Sequence, residues 1–402
     1  MGNDVDALAQ PIELPCGIVL RNRIVKAAMS DSLGDGAGDP TEEQISLYRR
    51  WALGGVGLSI IGEVQFDPRY PEQAGNLVLG QGSDESAFSR LAAAGAEGAS
   101  QLWPQLGHAG ALAPVALSEP AGPSALDIEG LVCRALTADE IGDLPARYAD
   151  AAARAQSFGF GGVEVHAGHG FLLSQFLSPL FNHRTDGYGG SVEARCRVLV
   201  EIVDAIRVAV GEGFAIGIKI NSSDQLDGGL TEEDSLTAIE ILADRSFDLI
   251  DISGGTYFPG AESSSDRSSA GPYFVDFARR ARELVSTPIM VTGGFKTRGE
   301  AAAAVHSAAA DVVGVARAMV LDPELTSRWL ARPASDPVFP RFASSPPGGV
   351  TAWYTMRLAE VARGEESDSA VPLSDSVLED ALRHFEERDR ERVPIWQARF
   401  SN

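Results

Sequence analysis

Two histidines three residues apart, His166 and His169, are the clearest sign of chemistry in this chain. They lie in the stretch His-Ala-Gly-His-Gly, directly after a short apolar run. Two imidazoles on one turn can act together on a small group, either as metal ligands or as neutral hydrogen-bond donors to a substrate oxygen. A catalytic metal also needs a third protein ligand, for which Asp31, Glu63 and His108 are available after other runs. Spacing alone leaves both interpretations open.

Eight short apolar runs rich in Val and Ile alternate with longer segments of helical periodicity. The runs cover residues 23–29, 56–62, 100–106, 161–166, 214–220, 247–253, 288–293 and 310–316. The helical segments cover residues 41–53, 86–98, 138–157, 191–210, 231–245, 274–286, 297–308 and 322–331. Strict alternation indicates a parallel sheet covered by helices, and eight units favour a closed (β/α)8 TIM barrel of the α/β class. Barrel active sites lie at the carboxyl ends of the strands, where the histidine pair falls.

The composition of the 402 residues limits the partners and the compartment. Asp and Glu number 56 against 33 Lys and Arg, a formal charge of −23, so neither nucleic acid nor a membrane surface is expected as a partner. The sequence shows no apolar run long enough to span a membrane and no signal peptide. Three distant cysteines argue against disulfides and a structural zinc site. We therefore expect a cytoplasmic protein with a small-molecule substrate.

Two connections after apolar runs exceed the length of a simple turn. Residues 110–136 follow the third run, and residues 254–272 follow the sixth. Both begin at the carboxyl end of a predicted strand, so they should open on the catalytic face of the barrel. Long connections at that face often form lids or substrate walls.

The last part of the chain departs from the barrel pattern. Residues 332–350 are rich in Pro and Ser and indicate a linker, and helices are predicted near 352–363 and 375–390. We therefore expect a single barrel domain at residues 1–331 and a C-terminal extension at 332–402. The extension would pack on its own barrel or on a neighbouring subunit of a homo-oligomer.

Seven blocks of sequence in a fixed order resemble the old yellow enzyme family of NADH:flavin oxidoreductases. The longest block is VEVHAGHGFLLSQFLSPLFNHRTDGYGGSVEARCR at 163–197. The others are LRNRIVKAAMS at 20–30, GGVGLSIIGEVQFDPRY at 54–70, QLGHAG at 105–110, GIKINSSD at 217–224, VTGGF at 291–295 and VGVARAMVLDP at 313–323. The resemblance implies an FMN-dependent oxidoreductase on a (β/α)8 barrel, with NAD(P)H as the reductant of the flavin.

The resemblance also implies an FMN site assembled from the strand ends. Its cofactor-binding residues would be Ala28, Met29, Ser30, Gly62, Glu63, Gln105, Lys219, Gly293, Gly294, Ala316 and Arg317. Lys219 would stabilise negative charge on the reduced ring, and Arg317 with the two glycines would bind the phosphate. Ala28 and Ala316 stand where family members commonly have Pro and Gly. No residue is assigned to a metal.

The implied catalytic residues depart from the family at one position. His166 and His169 would hold the oxygen of an α,β-unsaturated carbonyl, nitro or quinone substrate during hydride transfer. Many family members carry a Tyr two residues after the pair, as the proton donor to the substrate α-carbon. This chain has Phe171 there, and a Phe has no proton to give. Tyr257, after the sixth run, is the predicted substitute, with water as the alternative.

Three functions are compatible with these residues. The first is hydride transfer by an FMN-dependent NAD(P)H oxidoreductase of the ene-reductase type. The second is metal-dependent lyase or hydrolase chemistry that uses His166, His169 and an acidic neighbour. The third is a flavin-binding protein that has lost turnover together with the Tyr. A yellow colour that NAD(P)H bleaches anaerobically would favour the first, and a colourless, zinc-containing protein the second.

Overall fold

Eight parallel strands close into a barrel in the computed structural model, as the alternation predicts. The structure describes residues 4–128, 130–243, 245–259, 261, 271–331, 333–342, 346, 348–366 and 375–400. The strands are β1 (Ile24–Lys26), β2 (Leu58–Gln65), β3 (Gln101–Gly107), β4 (Gly162–Ala167), β5 (Ala215–Asn221), β6 (Leu249–Ser253), β7 (Ile289–Thr292) and β8 (Val312–Val315). Each strand pairs in parallel with the next, and β8 pairs with β1, which closes the ring. Every predicted run overlaps one strand.

The strands are apolar on both faces because both faces are buried. Every residue of β2, β4 and β5 is buried, which explains their continuous rather than alternating hydrophobic pattern. An antiparallel pair at Ile12–Glu13 and Val19–Leu20 precedes the barrel. A cluster of side chains from this pair and from the beginnings of the strands, including Leu20, Trp103 and Met290, fills the amino end of the barrel. The carboxyl end is therefore the end left for a site.

Eight helices alternate with the strands. They are α1 (Glu42–Leu53), α2 (Glu85–Gly95), α3 (Ala138–Ser157), α4 (Val192–Val210), α5 (Glu232–Ala243), α6 (Val275–Arg282), α7 (Arg298–His306) and α8 (Leu325–Leu330). Shorter helical segments lie at Asp4–Ala9, Glu97–Ala99, Gly110–Leu112, Leu172–Leu177 and Arg317–Leu321. Thr137 and Glu140 form a reciprocal capping box at the start of α3, as their spacing predicts. None of the described helices is both long and apolar enough to cross a membrane.

The two long connections differ in structure. The first folds into a small sheet with strands at Ala121–Gly122, Leu126–Ile128 and Leu131–Ala135, and none of its described residues lines the cavity described below, so its role as a lid or substrate wall stays a prediction. Its side chains form an apolar cluster with Phe181 and Phe258. The second connection is described at 254–259, 261 and 271–272, and Thr256 there forms a bridge with His169. The lid predicted for its residues 260 and 262–270 lies outside the described residues.

Two long helices follow the barrel, α9 (Gly349–Arg363) and α10 (Asp375–Phe400). The prediction for α10 was wrong in length, since the helix continues past residue 390 and through Pro394 to Phe400. Trp396 in this added part is only 1% exposed, so packing rather than propensity carries the helix past the proline. The predicted linker residues 332, 343–345 and 347, and residues 367–374 before α10, lie outside the described residues.

Helix α10 contacts the barrel of its own chain near the ends of β1 and β2. Arg388 and Arg392 both donate to the carbonyl oxygen of Ser32, at 2.6 Å each. The indole N–H of Trp396 donates to the carbonyl oxygen of Pro68 at 3.2 Å. These contacts link the extension to two loops that begin at the carboxyl end of the barrel. The division of the chain at residue 331 stays a prediction.

Candidate active site

A cavity at the carboxyl ends of the strands collects nearly all of the predicted site residues. Its empty volume, open mouth included, is about 1310 Å³. The predicted residues that line it are Ala28, Met29, Ser30, Glu63, Gln105, His166, His169, Lys219, Tyr257, Gly293, Gly294, Ala316 and Arg317. They converge because the carboxyl ends of parallel barrel strands meet at one face.

Gly62 is not among the residues that line the cavity. The predicted run ended at this residue, whereas strand β2 continues to Gln65. A Cβ atom at Gly62 would lie 2.2 Å from the carbonyl carbon of Met29, so this glycine allows β2 to approach the segment after β1 closely. The structure therefore shows a packing role for Gly62, and its predicted contact with FMN stays a prediction.

The histidine pair forms part of a hydrogen-bonded chain. His166 Nδ1 contacts the carboxyl group of Glu63, and His166 Nε2 lies 3.1 Å from His169 Nδ1. His169 Nε2 in turn lies 2.9 Å from the hydroxyl oxygen of Ser253. Burial and then the charge of Lys219 hold the pKa of His166 well below its usual range. The pKa of His169 is low for the same reasons and because His166 is its neighbour. Both imidazoles are thus neutral, with one donor and one acceptor nitrogen each.

Two of the candidate third metal ligands point away from the histidine pair. The carboxylate of Asp31 accepts hydrogen bonds from the Gln44 amide at 2.9 and 3.0 Å and from the Tyr48 hydroxyl at 2.9 Å. His108 lines a separate, smaller cavity and stacks on Tyr70, with ring centres 4.4 Å apart. Within the described part of the chain, no group of three or more His, Cys, Asp or Glu side chains is arranged to hold a metal ion.

Lys219 lies in a buried network of charged and polar side chains. Its Nζ contacts the carboxylate of Asp251 and lies 3.9 Å from that of Glu164. Gln105 donates to Glu164 at 2.6 Å, and Thr292 donates to Asp251 at 2.6 Å. Burial opposes the charge of Lys219, but Asp251 and Glu164 outweigh it and raise the pKa of the amine. The lysine is therefore a fixed cation in the cavity wall.

The ends of β7 and β8 form the opposite end of the cavity. Gly293 and Gly294 have φ angles of 133° and 82°, and a Cβ atom on Gly294 would lie 2.3 Å from the carbonyl oxygen of Gly271. Glycine is therefore required where the backbone turns at Gly294. The Arg317 guanidinium lies 5.8 Å from the ring centre of Tyr354, a residue of α9. Backbone amides freed of side chains and a guanidinium are a common combination for binding phosphate.

Sequence reasoning missed a large part of the cavity wall. The residues it missed are Glu72, Ser253, Gly254, Tyr273, Phe274, Thr292, Phe295, Lys296, Gly314, Ala318, Phe339, Thr351 and Tyr354. Several could have been found, because Ser253, Thr292 and Lys296 lie at or just after strand ends. Thr351 and Tyr354 could not, since they come from α9 and carry no motif that ties them to a barrel.

The side chains present fit a bound FMN. The cavity is lined by the cations Lys219, Lys296 and Arg317, although the chain as a whole carries a formal charge of −23. Arg317 and Lys296 suit a phosphate, and Lys219 suits an anionic reduced ring, while the carboxyl groups of Glu63 and Glu72 line the same cavity. Tyr273 also lines the cavity, and its buried hydroxyl has no hydrogen-bond partner among the described residues. Buried polar groups are nearly always bonded, so a ligand is the expected partner of this hydroxyl.

Comparison with known proteins identifies the family. Residues 7–332 match the model of the NADH:flavin oxidoreductase / NADH oxidase family. This chain belongs to that family. The resemblance to old yellow enzymes is thereby confirmed, and so are FMN as the cofactor and NAD(P)H as the reductant. Membership also decides against the metal-dependent lyase or hydrolase, because family members are flavin oxidoreductases.

Individual relatives agree with this assignment. The NADH-dependent flavin oxidoreductase iliE of Neonectria sp. (strain DH2) is 36% identical over 81% of this chain and 47% of its own length. The NADPH dehydrogenase of Bacillus subtilis (strain 168) is 34% identical over 76% of this chain and 89% of its own. The solved structure of an old yellow enzyme homologue from Zymomonas mobilis has the same fold, with a TM-score of 0.71, 24% identity and coverage of 82% and 94%. The chain thus spans about half of one relative and most of the other two.

Proposed function

We propose that this family member is an ene-reductase-like enzyme that reduces an electron-poor α,β-unsaturated carbonyl, nitro or quinone compound at the expense of NADH or NADPH. The observation that carries this proposal is the position of the neutral histidine pair, Lys219 and Arg317 in one cavity. The chemistry that bound FMN supplies is hydride transfer from the nicotinamide to the substrate. The relatives are named for NADH in one case and NADPH in the other, so either nicotinamide is compatible with the family.

Each part of the cavity has a distinct role in this proposal. Ala28, Met29 and Ser30 would hold the edge of the flavin, and Gln105 and Glu63 its pyrimidine ring. Lys219 would keep a positive charge beside the ring, which favours its reduced, anionic form. The phosphate would bind to Gly293, Gly294, Ala316 and Arg317.

The substrate would bind over the flavin, against aromatic side chains of the cavity. The ring of Phe171 lies 5.0 Å from that of His166 and 5.8 Å from that of Tyr257. Tyr257 is 57% exposed, so it stands at the mouth of the cavity. An oxygen of a flat substrate would accept hydrogen bonds from the histidine pair, which stabilises the negative charge that develops there. A cytoplasmic location and assembly into homo-oligomers complete the proposal.

Anaerobic titration of the purified protein tests the proposed function. We expect a yellow protein whose flavin absorbance is bleached by NADH or NADPH and restored by an enone or a quinone. A yellow protein that neither nicotinamide bleaches would instead support the flavin-binding protein without turnover, the function that Phe171 also permits. A protein that binds no flavin would contradict both.

Arg317→Ala tests the phosphate end of the cavity. Hydrogen bonds to charged groups are worth about 1.5–3 kcal/mol, so we expect the dissociation constant of FMN to rise by about 10- to 100-fold. Dialysis followed by absorbance of the retained flavin measures this change. Arg279→Ala, which alters a half-exposed residue of α6, is the matched control. Equal retention of flavin by the two variants would show that the phosphate binds elsewhere.

A further inference from the structure

Glu63 occupies a strained backbone position at the mouth of the barrel. Its φ angle is +52°, in the left-handed region that residues other than glycine seldom adopt. The pairing of β2 with β3 shifts register between Ile61 and Val64, so Glu63 lies at an irregular step of the strand. A Cβ atom on Gly107 of β3 would lie 2.2 Å from Glu63 Oε2, which places the carboxyl group directly over that glycine. Irregular steps of this kind beside active sites commonly direct one side chain to a particular target.

The target of the Glu63 carboxyl group is His166. Its Oε1 contacts His166 Nδ1, and its Oε2 accepts a hydrogen bond from the Gln65 amide at 3.3 Å. The side chain is buried, and burial raises the pKa of the carboxyl group to about 8. Glu63 is therefore mostly protonated at neutral pH. The titratable groups that face it are Glu72, Tyr148, Glu164, His166 and Tyr257, while Lys219 faces His166 from the next strand.

A protonated Glu63 determines which nitrogen of His166 carries the hydrogen. The carboxyl O–H donates to Nδ1, so the hydrogen of the neutral imidazole lies on Nε2. In the structure Nε2 donates to His169 Nδ1, which lies 3.1 Å away. A substrate oxygen bound at the pair would accept the Nε2 hydrogen in place of His169, and Glu63, His166 and that oxygen would then form a continuous path along which one proton can move.

We propose that Glu63, acting through His166, delivers the proton that completes reduction, and that it delivers it to the substrate oxygen instead of the α-carbon. This inference rests on the proposed function, which supplies the hydride and its electron pair to the β-carbon. The π electrons of the C=C bond form a new C=C bond to the carbonyl carbon, and the π electrons of the C=O bond move onto the oxygen. The His166 Nε2–H bond breaks and an O–H bond forms on the substrate. The Glu63 O–H bond breaks as its hydrogen moves to His166 Nδ1. After the product leaves, water protonates Nε2 and the Nδ1 hydrogen returns to the Glu63 carboxylate, which restores both groups.

Delivery to oxygen explains how the chain can work with Phe171. The product of this step is an enol, which becomes a saturated ketone by ordinary tautomerisation in water. No side chain is needed beside the α-carbon, so a phenol at position 171 is unnecessary. The same proton path serves a quinone, whose reduced oxygen must also be protonated. Solvent then protonates the α-carbon from either face, so the configuration of this carbon is not controlled. The β-carbon, in contrast, receives its hydride on one face.

The first test replaces Glu63 by Gln. An amide can still donate to His166 Nδ1, so the imidazole keeps its orientation, but it cannot release a proton during turnover. We expect reoxidation of the reduced enzyme by an enone to slow by about 10²- to 10⁴-fold, the usual contribution of a placed acid. The wild-type rate should fall as pH rises through about 8, because the proton on Glu63 is lost there, and the variant should lack this dependence. Glu201→Gln on α4, next to Arg197, is the matched control.

Infrared spectra of the flavin-free protein give a readout that does not depend on turnover. The carbonyl band of protonated carboxyl groups should lose intensity in Glu63→Gln and keep it in Glu201→Gln, because Glu72 and Glu164 contribute equally to both variants. Reoxidation of Glu63→Gln at the wild-type rate, or a carboxyl band of unchanged intensity in this variant, would overturn the role of Glu63.

The second test uses the wild-type enzyme and an enone with a methyl group on the α-carbon. We expect a product that is racemic at this carbon, and Phe171→Tyr should shift it towards one epimer. A single epimer from the wild type would refute delivery to oxygen. Failure of the proposed function is distinguishable, because NAD(P)H would then not bleach the flavin at all.

Discussion

Replacing both His166 and His169 by Ala should slow the reduction of an enone by at least 10²-fold. Each imidazole offers a hydrogen bond to the oxygen on which negative charge develops, and loss of one such donor typically costs about 10²- to 10³-fold. The binding of phenolic ligands should weaken as well, because they would use the same donors. Stopped-flow measurement of the reoxidation step, with titration of a phenol into the oxidised enzyme, gives both quantities.

The double variant should keep its FMN. The pair lies at the end of β4, whereas the predicted phosphate contacts lie after β7 and β8. His306→Ala, at the end of α7, is a control that changes a histidine far from the cavity. Loss of flavin from the double variant with phenol binding intact would reverse the assignment of the pair.

Replacing Lys219 by Met should lower the free energy of unfolding by about 3–5 kcal/mol, the usual cost of removing one partner of a buried ion pair. The substitution leaves Asp251 buried and without its cation, and Asp251 is 0% exposed. Urea unfolding of the flavin-free protein at neutral pH measures the loss.

Two further measurements separate this mechanism from a simple packing defect. Adding Asp251→Asn to the Met variant removes the unpaired charge, so it should recover much of the lost stability. Lowering the pH should also reduce the loss of unfolding free energy in Lys219→Met. An unpaired buried Asp has a folded-state pKa above its unfolded value, so the folded state binds a proton as pH falls. A deficit that is the same at every pH and is not reduced by Asp251→Asn would show that charge is not its cause.

The barrel could be predicted because its strands are buried on both faces. Burial on two faces requires continuous apolar runs such as those of β4 and β5, and these stand out against the helical periodicity between them. The start of α3 could also be predicted, because the side chains of Thr137 and Glu140 accept hydrogen bonds from backbone N–H groups at the start of the same helix. The register of β4 and β5 pairs His166 with Lys219, so two residues predicted for one site lie side by side.

The remaining features depend on contacts between distant parts of the chain. Nothing near Glu63 in the sequence shows that its backbone is left-handed, because the irregular step arises from pairing with β3. The length of α10 depends on the site that receives Trp396, and Pro394 by itself would indicate a helix end. The cavity wall from α9, with Tyr354, is likewise set by tertiary packing alone.

The contacts of α10 with the loops after β1 and β2 have a consequence for the order of folding. The hydrogen bond from Arg388 to Ser32 joins residues 356 positions apart, and that from Trp396 to Pro68 joins residues 328 apart. Closing a chain over such separations is slow compared with pairing successive β/α units. Ser32 lies two residues beyond Ser30, and Pro68 lies in the loop that carries Glu72. We therefore expect the circular dichroism signal of the barrel to return first during refolding, and the binding of FMN to return later. The Trp396→Ala substitution should lengthen the delay between the two.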